Sequence, residues 1–448
     1  MFGIDEYTFA IGVGLIFGTA ALWLISCELG RRTRVSRAGQ VLLFCALGTG
    51  VFSVAAKAVI VGYLTRTNMG EIAETGLALR HQTEDFFTFA GKTQDVPPTA
   101  VQGFRRQTWR ALPHRAPGPS AGAPPATLVA LGEKLFFDRN LSLDRTISCA
   151  SCHDLQKGGD DGLRYSVGVE GQIGDRNAPT VLNAAFLKRL FWDGRAATLE
   201  AQALGPFVNP VEMAMPSLDA VVHRVKENPG YEGSFARAFG PQAKITSKTI
   251  AAAIAAFERT LITPDTPYDR FVRGEDGALS QQQLRGMALF SELGCRNCHT
   301  DPVFSAAGTL RGTGIYRRFP VFAGNPLVAR HDLLIKGQPG FWRVPSLRNV
   351  ANTAPYFHNG SVDTLEEAIR IMAVSQLGKQ LSNDPAQATE VLITSVRDED
   401  GQSGRNITLL RDRALTEADV SDIAAFLTSL SGQVPQQVSQ SARLAETK

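Results

Sequence analysis

Two copies of one pentapeptide, Cys149-Ala150-Ser151-Cys152-His153 and Cys295-Arg296-Asn297-Cys298-His299, concentrate the chemistry of this chain. Two thiols three positions apart can form thioethers to the two vinyl groups of one haem, and the adjacent His then ligates the iron from beneath. A Cys-x-x-Cys alone also fits zinc or thiol exchange, so a Cys₄ zinc site pairing the motifs and a disulfide exchanger are the alternatives. The trailing His favours haem, so two covalently bound haems c are expected, with His153 and His299 each taking one axial position. The opposite position decides between electron transfer and catalysis. Met372, seventy-three residues beyond His299, is the candidate sixth ligand of the second iron. Leu365, Ile369 and Met372 also share one face at helical spacing, so ordinary core packing is the competing role for Met372.

These residues need a scaffold. Leu131-Gly132-Glu133-Lys134-Leu135-Phe136 precedes the first motif, and Arg285-Gly286-Met287-Ala288-Leu289-Phe290 the second. Both read as an amphipathic helix running into a haem motif, with thirteen positions from Phe to Cys in the first copy and five in the second. Ser280 with Gln283 forms a capping-box pattern. Further helices are expected over Ser217–Asn228, Ser247–Leu261, Asp363–Val374 and Thr416–Leu430, the last with Thr416 as N-cap. Strand signals are scarce. The expected fold is mainly α, with two cytochrome c-like haem domains packed together: an N-terminal one over 126–265 and a C-terminal one over 266–432, followed by a polar tail over 433–448.

The 448 residues carry a net charge of only +3, which gives no reason to expect a nucleic-acid partner. The other cysteines, Cys27 and Cys45, fall in apolar segments and read as small buried hydrophobes. Thr8–Leu29 and Val41–Tyr63 are long enough to cross a bilayer, with Lys57 able to snorkel. The intervening loop carries Arg31, Arg32, Arg34 and Arg37 and is therefore expected on the cytoplasmic side. This gives an N-terminal membrane anchor over 1–65, inner-membrane localisation and haem domains facing the periplasm. A signal peptide cleaved near Ala55-Ala56-Lys57-Ala58 is the alternative. Residues 66–125 read as a periplasmic connector ending in a Pro-rich linker, and neither His81 nor His114 stands in a motif.

The runs Asn177-Ala178-Pro179-Thr180-Val181-Leu182-Asn183, Phe191-Trp192-Asp193-Gly194-Arg195-Ala196, Leu199-Glu200-Ala201-Gln202-Ala203-Leu204-Gly205-Pro206 and Asn209-Pro210-Val211-Glu212-Met213 resemble bacterial dihaem cytochrome c peroxidases. The resemblance resumes at Phe341-Trp342-Arg343-Val344-Pro345-Ser346-Leu347-Arg348-Asn349, Thr353-Ala354-Pro355-Tyr356-Phe357-His358-Asn359-Gly360 and Met372-Ala373-Val374-Ser375-Gln376-Leu377-Gly378, and covers about residues 127 to 430. It implies a peroxidatic N-terminal haem and an electron-accepting C-terminal haem with Met372 as axial ligand. Trp192 matches the family's Trp between the haems. Gln202, Pro206 and Glu212 match residues over the peroxide-binding face, with Glu212 as general acid/base and Gln202 orienting the peroxide. Asn177, Thr353 and Pro355 match an inter-domain Ca²⁺ site in which Thr and Pro give carbonyl oxygens.

One position departs from the pattern. The commonest family members carry an iron-capping His after a Ser-Ile-Gly-like triplet, whereas here Ser166-Val167-Gly168 is followed by Val169. The N-terminal haem is then expected to be open, as in the relatives that mature the tryptophylquinone cofactor of methylamine dehydrogenase, which carry Tyr in place of the Met. The expected activity is reduction of hydrogen peroxide to water, with quinol or a small cytochrome c as electron donor and a homodimer left open. The competing activities are oxidation of a protein or organic substrate through a high-valent iron pair, and electron carriage without catalysis.

Overall fold

The computed structural model describes residues 109–119, 122–310, 312–384, 391–397, 403–409 and 414–433. The anticipated membrane spans, Cys27, Cys45, most of the connector and nearly all of the tail lie outside the described residues. Among the described residues no helix is long and apolar enough to cross a membrane.

The first module contains α1 (Ala126–Phe136), the one-turn α2 (Cys149–Cys152), α3 (Leu199–Val208), α4 (Leu218–Glu227), α5 (Pro229–Phe239) and α6 (Ser247–Glu258). The second contains α7 (Pro267–Val272), α8 (Gln281–Glu292), the one-turn α9 (Ala306–Thr309), α10 (Pro326–Arg330), α11 (Leu365–Ser375) and α12 (Glu417–Thr428). Start signals are local: Thr198, Ser217, Thr364 and the boxed pairs Thr246/Thr249, Ser280/Gln283 and Thr416/Asp419 satisfy the free N–H groups of their helices. No helix is expected from the sequence at α3, which holds Pro206 in its last turn, nor at α5, α7 and the short α9 and α10, although Thr198, Asn228 and Thr266 cap the first three.

Strands are few and paired only in twos. β1 (Tyr316–Phe319) runs antiparallel to β2 (Gly340–Arg343). The short β3 (Leu381–Ser382) lies parallel to β6 (Leu415–Thr416), and β4 (Val391–Arg397) antiparallel to β5 (Ser403–Leu409).

The two modules repeat one packing device. α1 crosses α6, and α8 crosses α12, each at a glycine. A Cβ on Gly132 would lie 1.9 Å from the Ala253 carbonyl oxygen, and one on Gly286 would lie 1.8 Å from that of Asp422. Phe257 and Phe426 close the two crossings in the same way, each with its Cβ 2.9 Å from that hypothetical atom. The repeat therefore extends beyond the haem motifs: Ile254-Ala255-Ala256-Phe257-Glu258 aligns with Ile423-Ala424-Ala425-Phe426-Leu427. Each module has its own core, one built on Leu131, Phe136, Phe207, Phe235, Ile254 and Phe257, the other on Tyr268, Phe290, Phe304, Ile371 and Phe426.

The end of the segment read as connector is not loose chain. Trp109 belongs to the second core and Leu112 is fully buried. Main-chain Arg110 N donates to Asp301 Oδ2 at 2.7 Å, and Leu112 N donates to Asp269 Oδ1 at 2.7 Å. Asp269 also receives both arms of the fully buried Arg348 guanidinium, at 2.6 and 2.8 Å. Composition alone, rich in Pro and Ala nearby, hid a Trp that anchors through its ring.

Candidate active site

Each pentapeptide is held in a tight turn. Cys149 and Cys152 open and close α2, so both thiols project from one face three residues apart. Cys295–Asn297 forms a 3₁₀ turn that brings Cys298 beneath Cys295. Cys149 packs against the first core and Cys295 against the second. The pairs thus lie in different modules, and no cluster of three or more His, Cys, Asp or Glu among the described residues could hold a metal ion. That removes the Cys₄ zinc alternative. Burial pushes the Cys152 thiol up to about 11 and the Cys295 thiol up to about 12, which disfavours a reactive thiolate and hence a disulfide exchanger.

The two histidines are oriented alike. His153 Nδ1 lies 3.2 Å from the Gly159 carbonyl, and His299 Nδ1 lies 3.1 Å from the Phe304 carbonyl. A ring N–H fixed to a main-chain oxygen leaves Nε2 as the ligating atom, the usual arrangement for metal-bound imidazole. Burial lowers the pKa of both, that of His299 to about 4, so each ring is held neutral.

A cavity of about 250 Å³ opens above the second pentapeptide, lined by Cys295, Cys298, His299 and Met372. Its walls are mostly apolar, with Phe290, Leu293, Val344, Leu347, Ile369 and Leu427 among them. Met372 is the half-buried member of a stretch of α11 in which Ile371, Ala373 and Val374 are buried, and it faces this cavity. Arg317 and Arg343 also line the cavity, as does Trp342, whose indole N–H is buried with no partner. An apolar slot carrying two guanidinium groups and a free N–H donor suits a flat ring with acidic side arms, so the residues present fit a haem.

The same cavity is also lined by Asn177, Trp192, Thr353, Pro355 and His358. The indole of Trp192 donates to the Asn177 carbonyl at 2.8 Å. Its ring stands edge-on to Trp342 at 6.2 Å and to His358 at 6.4 Å, while Trp342 and His358 stack at 4.5 Å. The module boundary is tied by main-chain bonds: Asn177 N to His358 O at 3.0 Å and Arg343 N to Trp192 O at 2.9 Å. The aromatic cluster therefore sits where one module's loop meets the other. Trp342 and His358 stand inside the family-like motifs, yet only their contacts with Trp192 mark them as candidates.

Gln202 and Pro206 lie one turn apart on one face of α3. Glu212 follows in the next loop, where Asn209 Nδ2 donates to its Oε1 at 2.6 Å. Burial raises the Glu212 pKa, opposed by Arg195 and by the Asn209 bond, and its charge is felt at both Cys149 and Cys152. Asn209 is thus a positioning residue that the sequence motif contains but did not single out. Val169 is completely buried, and its N–H donates to the Glu212 carbonyl at 3.0 Å. Gly168 lies so close beneath that a Cβ there would meet the Val211 oxygen at 1.8 Å. The loop that lacks the His is therefore fastened to the loop that carries Glu212.

Two haem-attachment turns in two helical modules, joined through an aromatic cluster, define a two-haem c-type cytochrome. Residues 126–277 match the sequence profile of the family described as di-haem cytochrome c peroxidase. The chain is 39% identical over 312 residues to the cytochrome c peroxidase Ccp of Escherichia coli, covering 68% of this chain and 58% of that relative's length. It is 40% identical over 261 residues to the cytochrome c551 peroxidase of Nitrosomonas europaea, covering 58% of this chain and 76% of the relative. Among solved structures, a MauG-like protein associated with microbial copper homeostasis superposes with a TM-score of 0.54 at 29% identity, over 72% of this chain and 95% of that one. The chain belongs to the di-haem cytochrome c peroxidase family, a family of oxidoreductases, and membership implies two haems c.

Proposed function

We propose that this chain reduces hydrogen peroxide to water, with electrons entering at the module of Cys295, Cys298, His299 and Met372 and used at the module of Cys149, Cys152 and His153. When bound, the two haems supply the redox equivalents and the iron at which peroxide is held. The observation that carries the reading is the Glu212 carboxyl, half-buried beside the first cysteine pair, raised in pKa and gripped by Asn209. Burial strengthens the hold of this carboxyl on a proton, so it can take a proton from one peroxide oxygen and pass it to the other, which contributes roughly 10²–10⁴-fold to rate. Gln202 orients the peroxide and Asn209 fixes the rotamer of Glu212. Two electrons and two protons per peroxide yield two waters. Trp192, Trp342 and His358 offer an aromatic route between the modules.

The calcium assignment to Asn177, Thr353 and Pro355 belongs to this proposal, supported by their convergence on one cavity at the module boundary. So do a periplasmic location behind a membrane tether and a quinol or small cytochrome c donor, supported by the two apolar N-terminal segments and their arginine-rich loop. Steady-state peroxide reduction by the two-haem protein should fall about 10²-fold or more in Glu212→Gln, with both pentapeptides still haem-loaded. Undiminished turnover in that variant would overturn the role of Glu212. A second reading, oxidation of an organic or protein substrate, is favoured by Val169 and by the MauG-like structural neighbour. It gains ground if the wild type consumes peroxide only when an oxidisable substrate other than a cytochrome or quinol is present.

A further inference from the structure

Asp160 is a buried carboxyl without a hydrogen-bond partner. Its side chain is 1% exposed, and neither carboxylate oxygen meets a hydrogen-bond donor. No neighbouring side chain bonds to it. The Lys157 amine turns to Asp154 at 3.3 Å, and Asp161 spends one oxygen on the Leu163 N–H at 3.0 Å while its other oxygen is also buried and unpartnered. A bare buried carboxylate is strongly disfavoured unless a cation or donors compensate it. Asp160 holds its backbone place firmly, since its carbonyl accepts from Asp154 N at 3.0 Å.

Asp160 lines the same cavity as Asn177, Thr353 and Pro355, each of which has an oxygen to offer a cation. The Asn177 amide donates through Nδ2 to the Leu163 carbonyl at 2.9 Å, which leaves Oδ1 for a cation. Hard cations such as Ca²⁺ take six to eight oxygen donors, and affinity rises with the number of charged ones.

We propose that the Asp160 carboxylate is the charged donor of a divalent-cation site bridging the two modules, completed by the Asn177 amide oxygen and the Thr353 and Pro355 carbonyls. This rests on the calcium reading above and adds to it the residue that supplies the negative charge. Asp160 comes from the loop after the first haem motif and the two carbonyls come from the second module, so the ion fastens that loop to the neighbouring domain.

The test is calorimetric titration of CaCl₂ into the chelator-stripped two-haem protein, paired with the Ca²⁺-induced rise in thermal midpoint. Wild type should bind one Ca²⁺ per chain. Asp160→Asn, matched in size, should weaken binding by roughly tenfold or more and shrink the thermal shift, whereas Asp161→Asn should keep most of both. If wild type binds no Ca²⁺, the calcium reading itself fails. If wild type binds and Asp160→Asn binds equally well, the role of Asp160 fails while the site stands. Should Asp160→Asn not accumulate, infrared difference spectra of wild type with and without Ca²⁺ decide the matter. A carboxylate donor shifts its stretching bands, and a spectrum with amide changes alone overturns the proposal.

Discussion

Glu258→Leu should stabilise this protein, and increasingly so as the pH rises. Glu258 ends α6, is 5% exposed, and holds an Oε2 without a partner. The repeat relates it to Leu427, so the second module already builds this position with an apolar side chain of similar size. Burial, reinforced by Glu200 and opposed by Arg259, carries the Glu258 pKa from 4.5 to about 8. Below pH 4.5 the group is protonated in both folded and unfolded chains and adds no pH-dependent cost. Between pH 4.5 and 8 the unfolded chain ionises while the folded one keeps its proton, so stability falls as pH rises and levels off above 8. The integrated loss is roughly 4–5 kcal/mol. Denaturant unfolding at pH 5, 6.5 and 8 should show wild type losing stability across that window more steeply than Glu258→Leu. Glu258→Gln should remove the same slope but gain less, because its amide still needs a partner. If Glu258→Gln keeps the full wild-type slope, the carboxyl is not the titrating group and the reasoning fails.

Met372→Ala should lower the potential of the C-terminal haem and abolish its Met–iron absorption while leaving the N-terminal haem spectrum intact; an unchanged spectrum would return Met372 to the core. Val169→His tests the open site: wild type, as isolated, should show a high-spin ferric haem that reacts with peroxide at once, and the variant should need prior reduction. A low-spin N-terminal haem in wild type would refute the open site. Gly286→Ala places a Cβ 1.8 Å from the Asp422 oxygen, so α8 and α12 must part, at a cost of about 1–3 kcal/mol by overpacking. Because helix propensity returns at most about 1 kcal/mol, a stabilised Gly286→Ala protein would show that the crossing is looser than described.

The haem-attachment turns and most of the long helices were legible in the sequence because their signals are local. Ser280 and Gln283 cap each other three residues apart, and Thr416 does the same with Asp419. What escaped was set by distance in the chain. α3 keeps Pro206 inside a helix, against its own propensity, because Ala203 and Phe207 bury into the first core. Trp109 reads as connector in the sequence, yet its ring lies beneath the Arg296 guanidinium, 3.8 Å from the ring centroid. At the candidate site, motif matching selected Glu212 and Trp192 but not Asn209, Trp342 or His358, whose places are defined only by what they touch.

The same contrast bears on how the two modules came to differ. Where they must fold alike, they agree to the residue: Gly132 with Gly286, Phe257 with Phe426, and a His whose Nδ1 is tied to a carbonyl a few positions on. The differences are confined to what the shared frame presents. The second module offers Met372 and an apolar wall that includes Leu427. The first offers Glu212 with its Asn209 clamp, and Glu258 where the second has Leu427. A frame that fixes the haem-bearing turn equally in both leaves the polarity around each haem to a few side chains, and haem potential follows that polarity. One repeated scaffold can therefore accommodate the electron-entry and proton-handling modules of the proposed function, with the boundary held by Asn177, Trp192 and Arg343.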